Sequence, residues 1–238
     1  GDDWRIRALH FANLPAGPGT GWEKRDRDSE SMTADPAGHI WVGFERYNAI
    51  WRYAPGFAHA ERRARPQVMA HWPSNGGPES MVRLRDGHFI VLSETGRWPH
   101  AKGHAAYLFD GDPTIDPSAG FAFAYAPPHG YDPSDAVELP DGDVLVLNRR
   151  FSLPYIFTAI LTIVPRAQIA PGKIVAGRPI ATFAAPFIHD NFEALAVTRE
   201  AGRTIIWMAS DDNQSVLQRS LLLKFQLDPA DTTTASPR

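Results

Sequence analysis

The hydrophobic positions of the chain fall into short apolar runs, and one arrangement of these runs occurs four times. Each unit opens on an acidic residue and a small or apolar pair, passes through a glycine-containing turn, and ends in an almost wholly apolar run. The opening acids are Glu30, Glu79, Asp135 and Glu193. Their spacing of roughly 50 to 60 residues is close to the ~40 to 50 of propeller blades. The pattern therefore predicts an all-β protein, a β-propeller with four visible repeats.

Each unit also predicts a β-hairpin, because the Asp-Gly or Ala-Gly step supplies the positive φ that a tight turn requires. The apolar second run suits a strand that is buried on both faces between neighbouring blades. Two further strands complete each blade. The predicted third strands are 49–53, 105–109, 160–164 and 221–227, and the predicted fourth strands are 67–72, 121–125 and 179–183.

The repeats divide one domain, 1–238, into about 21–73, 74–127, 128–186 and 187–227, followed by a polar tail at 228–238. The last repeat lacks a fourth strand, and residues 5–12 resemble the fourth strands of the other repeats. Residues 1–20 then either close the ring by pairing the two chain ends or form the outer end of a further, partial blade. The start at Gly1, without a leader, favours a processed product.

Composition excludes several classes of site. The chain has 238 residues, a net charge of −3 and no cysteine, so disulfides, thiolate metal sites and cysteine nucleophiles are ruled out. We expect neither nucleic acid as a partner nor a membrane span. The basic run at 61–65 is interpreted as a solvated loop. The motifs of phosphate-binding loops, zinc proteases and serine-hydrolase elbows are missing from the sequence.

The candidate chemistry lies in the opening acids. The first residues of the innermost strands of a propeller meet at one mouth of its channel, so these carboxylates should converge. Such carboxylates repel one another and favour a cation, and hard oxygen ligands suit Ca²⁺. The alternative is structural, in which each acid accepts hydrogen bonds from a neighbouring loop.

The last repeat concentrates further polar groups, because the segments 190–193 and 210–213 lie at the same end of two paired strands. Arg149 and Arg150 occupy the equivalent exit of the third repeat, where they either hold carboxylates in salt bridges or bind an anionic ester. The predicted catalytic residues are Asp212, Glu79 and Arg149, the predicted substrate-binding residues are Arg150, Arg25 and Arg27, and the predicted metal ligands are Glu30, Glu79, Asp135, Glu193 and Asp211.

These segments resemble a known family. DNFEALAV at 190–197, SDDN at 210–213 and QRSLLLKF at 218–225 are similar to the closing signature of the bacterial phytase-like family named for "esterase-like activity of phytase". KRDRDSE at 24–30, NGGPE at 75–79 and NRRFS at 148–152 fit the same family. The resemblance implies a β-propeller, a hydrolase and export to the periplasm. Family members usually carry a further N-terminal segment with acid-bearing inner strands of its own.

Two functions of different classes follow. The first is a periplasmic or secreted, Ca²⁺-assisted hydrolase of a small phosphoester, carboxyl ester or lactone, with Asp212 or Glu79 as general base. The second is a non-catalytic propeller of the cell envelope that binds a ligand or protein through loop aromatics. The predicted contacts of that second function are Trp22, Trp72, Trp98 and Tyr155. A carbohydrate or lipid binder is a third interpretation.

Overall fold

A computed structural model describes residues 8, 12–21, 23–98, 102–153, 156–228 and 230, apart from the side chains of Lys24, Arg25 and Ile156. These residues form strands and short 3-10 helices, and the strands assemble into four blades whose consecutive strands pair antiparallel. The predicted all-β propeller is therefore confirmed.

Each blade is a meander whose strands follow one another outward from the channel. The first blade contains β1 (Ser29–Ala34), β2 (Ile40–Phe44), β3 (Ala49–Tyr53) and β4 (Ala60–Ala64). The second contains β5 (Pro78–Arg83), β6 (Phe89–Arg97), β7 (His104–Phe109) and β8 (Gly120–Ala126). The third contains β9 (Asp132–Glu138), β10 (Val144–Ser152) and β11 (Ile156–Val164); it skips β12 (Ile174–Ala176) and ends on β13 (Arg178–Phe183). The fourth contains β14 (Phe192–Glu200), β15 (Arg203–Ser210) and β16 (Leu222–Gln226).

The short strand β12 joins the second blade although it belongs to the third repeat. It pairs in parallel with β8, with Ile174 opposite Ala124 and Val175 opposite Tyr125. Val175 is buried in the apolar cluster between the two blades. The connection therefore links neighbouring blades, a feature that the repeat pattern did not predict.

The fourth strand of the first blade corrects two predictions. It is β4, and the segment predicted as that strand forms instead a 3-10 helix at Gln67–Met69. The basic run at 61–65, interpreted from the sequence as a loop, lies largely in β4. A charged run can form this strand because an edge strand has one neighbour and tolerates charged side chains on its open faces. Arg63 lies over the ring of Trp51 at 5.4 Å, and Glu61 pairs with Arg52 at 2.9 Å.

The core lies between the blades. Trp41 and Phe89 pack at the first interface, Leu92 and Val146 at the second, and Leu147 and Met208 at the third. Burial on both faces confirms the interpretation of the apolar second strands for β2, β6 and β10, whereas β15 is only partly buried. These inter-blade clusters hold the inner strands in fixed relative positions.

The inner strands of all four blades surround the channel. One cavity of about 690 Å³ is lined by residues of β1, β5, β9 and β14. A second cavity of about 340 Å³ is lined by β1 and β14, which do not pair with each other. Apart from residues 8 and 12, the predicted closing segment at 5–12 lies outside the described residues, as does most of the tail at 228–238. How the ring closes stays a prediction.

Candidate active site

Three of the four opening acids occupy β-bulges. The pairing between the first two strands skips one residue in β1, β5 and β14, and the skipped residues are Glu30, Glu79 and Glu193. A bulge leaves its extra residue out of the ladder and re-aims the side chain. The repeat therefore presents three glutamates at one end of the channel, which we call the acidic mouth.

Asp135 departs from this arrangement. In β9 the skipped residue is Ser134, so that Asp135 pairs in register with Leu147. Its two carboxylate oxygens accept hydrogen bonds from the backbone N–H groups of Leu195, at 2.7 Å, and Ala136, at 2.8 Å. Burial raises the pKa of Asp135 to about 7, and these two hydrogen bonds oppose the rise. This acid has the backbone-capping environment of the structural alternative.

A second set of side chains lies at the mouth end of the second strand of each blade, within the strand in β6 and β10 and directly after it in β2 and β15. The residues at this exit position are Glu45, Glu94, Arg149 and Asp211. Carboxylate oxygens of Glu45, Glu79 and Glu94 lie within 4.8 Å of one another. Oxygens of Asp28, Glu30 and Glu45 form an equally compact group. Glu45 belongs to both groups, so the acids of the first two blades form one continuous cluster.

Glu45 is held by the loop that precedes β5. Its Oε1 accepts a hydrogen bond from the backbone N–H of Gly76, and its side chain is buried. Gly76 adopts a φ of +105°, where a Cβ would overlap the side chain of Thr95. Burial raises the pKa of Glu45, and the nearby Asp28 and Glu94 add to that rise. A glycine therefore fixes the carboxylate that the two groups share.

Glu79 is the least compensated of these acids. Its side chain is 7% exposed, and none of the described donors forms a hydrogen bond with its carboxylate. Burial raises its pKa to about 10, with further contributions from Glu94, Glu30 and Glu45. Burial likewise raises the pKa of Glu30 to about 8, and Glu45 and Asp28 contribute further. A buried carboxyl group without a donor, among other carboxylates, suits a cation of the hard, oxygen-binding kind.

Arg149 balances part of this charge. It donates to Glu94 Oε1 at 3.0 Å and to Asn191 Oδ1 at 2.8 Å, and it forms a salt bridge with Glu193. Burial lowers the pKa of Arg149, but the attraction of Glu193 and Glu94 outweighs burial and raises it overall. Arg149 thus joins three blades and orients two carboxylates.

Of the other predicted arginines, Arg27 and Arg150 form no ion pair with a described carboxylate. The guanidinium of Arg150 stacks on Tyr131, 4.8 Å from the ring centre, and its Nε is buried without a hydrogen-bond partner. Arg27 donates to the backbone oxygen of Leu14 at 2.6 Å and so secures the preceding loop. The side chain of Arg25 lies outside the described residues. A substrate-binding role for each of them stays a prediction.

The acids of the last repeat organise their own loop. Asp212 accepts hydrogen bonds from the backbone N–H of Gln214 and the hydroxyl of Ser220, at 2.8 and 2.9 Å, and these two bonds lower its pKa. Asp211 accepts from the N–H of Asn213 at 3.0 Å. The predicted roles of Asp212 as general base and of Asp211 as metal ligand stay predictions. Neither residue joins a compact group of carboxylates among the described residues.

Sequence reasoning did not select Asp28, Glu45 and Glu94 as ligands. The signal was available, because Glu45 and Glu94 stand at the exit position that Arg149 fills in the third blade. The aromatic contacts of the binding alternative are corrected in part: Trp72 is buried in the core between the first two blades. Trp98 is half-buried, while Trp22 and Tyr155 lie outside the described residues.

Comparison with known families supports the resemblance. The family model described as "Phytase-like: Esterase-like activity of phytase" matches residues 3–214. The chain belongs to this family. The match confirms the resemblance found in the sequence, and the family description indicates a hydrolase-type activity. No curated protein matches the chain significantly.

None of the described helices has the length and apolar character needed to cross a membrane.

Solved structures similar to this phytase-like chain are distant. An endo-arabinase from Bacteroides thetaiotaomicron is 14% identical with a TM-score of 0.49, covering 85% of this chain and 81% of that one. A protein of unknown function from Bacteroides caccae is 12% identical with a TM-score of 0.42, covering 85% of this chain. This chain spans 61% of that protein. Such likenesses carry no argument about chemistry.

Proposed function

We propose that this phytase-like protein is a metal-assisted hydrolase of small-molecule ester bonds and that the reaction takes place at the acidic mouth. The observation that carries the proposal is the pair of carboxylate groups that share Glu45. One of their two buried members, Glu79, has no hydrogen-bond donor among the described residues. The family description supports hydrolysis, and the carboxylates support a cation.

The residues suited to hold the cation are Asp28, Glu30, Glu45, Glu79 and Glu94. Carboxylate oxygens favour Ca²⁺, which takes six to eight oxygen ligands in flexible geometry. When bound, the cation would polarise the ester or phosphoryl oxygen as a Lewis acid. It would also lower the pKa values of the surrounding glutamates, because a nearby positive charge favours their ionised form.

The protein's own groups supply the remaining chemistry. Of the two carboxylates predicted as general base, Glu79 is favoured, because it lies inside the cluster while the oxygens of Asp212 already accept hydrogen bonds. An ionised Glu79 accepts a proton from the attacking water. Arg149 acts as a positioning residue, since its donors hold Glu94 and Glu193. Arg150 is retained as a candidate contact for an anionic part of the substrate.

The proposal is tested by titrating Ca²⁺ into the metal-free protein while following its melting temperature. A panel of carboxyl esters, lactones and phosphomonoesters then measures turnover. We expect Ca²⁺ to raise the melting temperature and to support hydrolysis. E79Q and E45Q should remove the Ca²⁺ effect, and E79Q should lower kcat by about 100-fold or more.

The matched control is E138Q, because Glu138 is also on an inner strand but lies at the opposite end of β9 and pairs with Arg85. E138Q should keep both the thermal shift and the turnover. If the unmodified protein shows no Ca²⁺-dependent shift and hydrolyses none of the three substrate classes with Ca²⁺ present, the proposal is wrong. If E79Q leaves turnover unchanged, the reaction does not take place at the acidic mouth.

A further inference from the structure

Three loops of the third and fourth blades expose large apolar side chains. They are the β10–β11 loop together with the last residues of β10, the connection from β13 to β14 and the β15–β16 connection. The exposed residues, which together we call the apolar rim, are Phe151 (63%), Leu153 (82%), Phe187 (72%), Ile188 (39%), Val216 (101%) and Leu217 (76%). Contiguous exposed apolar groups are unusual on a monomer and mark surfaces of interaction.

All three loops stand at the end of the propeller that carries the acidic mouth. The first follows Arg149 on β10, the second leads into Glu193 at the start of β14, and the third follows Asp211. Two hydrogen bonds tie the second loop to the third: Arg219 donates to Asp190 and to the backbone oxygen of His189, each at 3.0 Å. The rim therefore belongs to one surface.

The rim is continuous with the carboxylate site. The ring of Phe157 lies 5.2 Å from that of Phe151, centre to centre. The guanidinium of Arg149 lies 5.8 Å from the centre of the same Phe157 ring. A single aromatic side chain thus separates the rim from the arginine that holds Glu94 and Glu193.

The shape and charge of the rim indicate its partner. Side chains exposed by 63% or more project from loop tips and so meet a surface, whereas groove-lining side chains would be partly covered. The tips at 151–153, 184–189 and 213–218 contain no Asp, Glu, Lys or Arg. The neighbouring mouth is acidic and would repel anionic headgroups. An uncharged rim beside an acidic mouth fits a lipid surface of zwitterionic headgroups.

We infer that the apolar rim docks the acidic mouth onto a lipid surface with zwitterionic headgroups. The rim residues enter the boundary between headgroups and acyl chains, and the mouth then faces the lipid. This inference rests on the loops and their exposure, and docking requires neither bound Ca²⁺ nor hydrolysis. It therefore stands or falls separately from the proposed hydrolase activity.

The test is co-sedimentation with phosphatidylcholine vesicles, measured with a chelator present and without ester substrate. We expect the unmodified protein to bind, and the double variants F151S/L153S and V216S/L217S each to lower the vesicle-bound to free ratio at least 10-fold. Matched controls are I115S and I174S, which remove apolar side chains of similar exposure, 61% and 52%, from the β7–β8 connection and from β12, the outermost strand of the second sheet. Both controls should bind as the unmodified protein does. Circular dichroism checks that every variant is folded.

Three results would overturn the inference. The first is no binding to phosphatidylcholine vesicles, or binding that the rim variants share equally with the unmodified protein. The second is binding that needs anionic lipid. The third is self-association that the rim variants abolish in size-exclusion chromatography, with no vesicle binding, which would assign the rim to a protein partner. Ca²⁺-dependent turnover in solution would be unaffected by any of these outcomes.

Discussion

Arg149 of the third blade donates a hydrogen bond of 3.0 Å to Glu94 of the second, and the two residues stand at equivalent positions in their repeats. The same guanidinium pairs with Glu193 of the fourth blade. The third repeat has an arginine where the first two repeats have a glutamate, and this arginine supplies a positive charge inside the acidic mouth. This contact makes the packing of three blades depend on the charges at the mouth.

Removing Arg149 should destabilise the protein through the acids that it leaves behind. We expect R149M to lower the free energy of unfolding by about 2 to 3 kcal/mol, because breaking a largely buried pair strands its partners. Urea denaturation measures this change. The double variant R149M/E94Q should recover part of the loss, since it removes one stranded carboxylate. Equal stability of R149M and the unmodified protein would show that the bridge contributes nothing.

The metal-free protein should lose stability as the pH rises. Glu30 and Glu79 titrate at about 8 and about 10 when folded and near 4.5 when unfolded, so the folded state binds more protons between these values. Stability from these groups is complete below about pH 4.5 and declines as pH rises towards 8 and beyond. We expect the melting temperature, with a chelator present, to fall by about 5 °C or more between pH 5 and 8.

Two variations sharpen that measurement. E79Q should flatten the pH dependence above pH 5, because glutamine cannot ionise, and saturating Ca²⁺ should restore stability at pH 8 by compensating the ionised carboxylates. A melting temperature that rises from pH 5 to 8 in the metal-free protein would contradict the raised pKa values.

Asp135 should prove structural. Substituting D135A leaves the backbone N–H groups of Leu195 and Ala136 without their acceptor and should lower the free energy of unfolding by about 2 kcal/mol. D135N keeps one acceptor oxygen and should cost less. Isothermal titration of the folded variants should show unchanged Ca²⁺ affinity. A large loss of affinity in D135N would return Asp135 to the ligand set.

Gly76 should matter to the carboxylate site, and Gly87 provides its control. Both have positive φ, +105° and +93°, so alanine at either position should cost about 1 kcal/mol through backbone strain. A Cβ added at Gly76 would meet the side chain of Thr95, whereas a Cβ added at Gly87 would have no atom within 4 Å. G76A should therefore also weaken Ca²⁺ binding through Glu45, whereas G87A should not. Equal Ca²⁺ affinities in the two variants would show that the loop at Gly76 does not influence Ca²⁺ binding.

Much of the fold was readable from local pattern. The opening acids, turn glycines and apolar second strands recur in all four repeats, and each inner pair lies where the repeat predicted it. The fourth strand of the first blade was misassigned, because an edge strand such as Ala60–Ala64 needs no apolar face and so lacks the pattern used to find strands. The link made by Ile174–Ala176 was missed, since pairing with a strand of the preceding repeat leaves no local mark.

The carboxylate site shows the same division. The repeat pattern determined that Glu30, Glu79 and Glu193 lie at the start of inner strands. It also determined that Glu45, Glu94 and Arg149 lie towards the end of the next strands or directly after them. Only the tertiary structure decided which of them meet: a one-residue displacement of the bulge from Asp135 to Ser134 sends that acid to a backbone cap. The blades then bring the glutamates of the first two repeats into one cluster around Glu45. The physical reason is that spacing along a strand sets which end a side chain occupies, whereas register and the packing of one blade on the next set its direction and its neighbours.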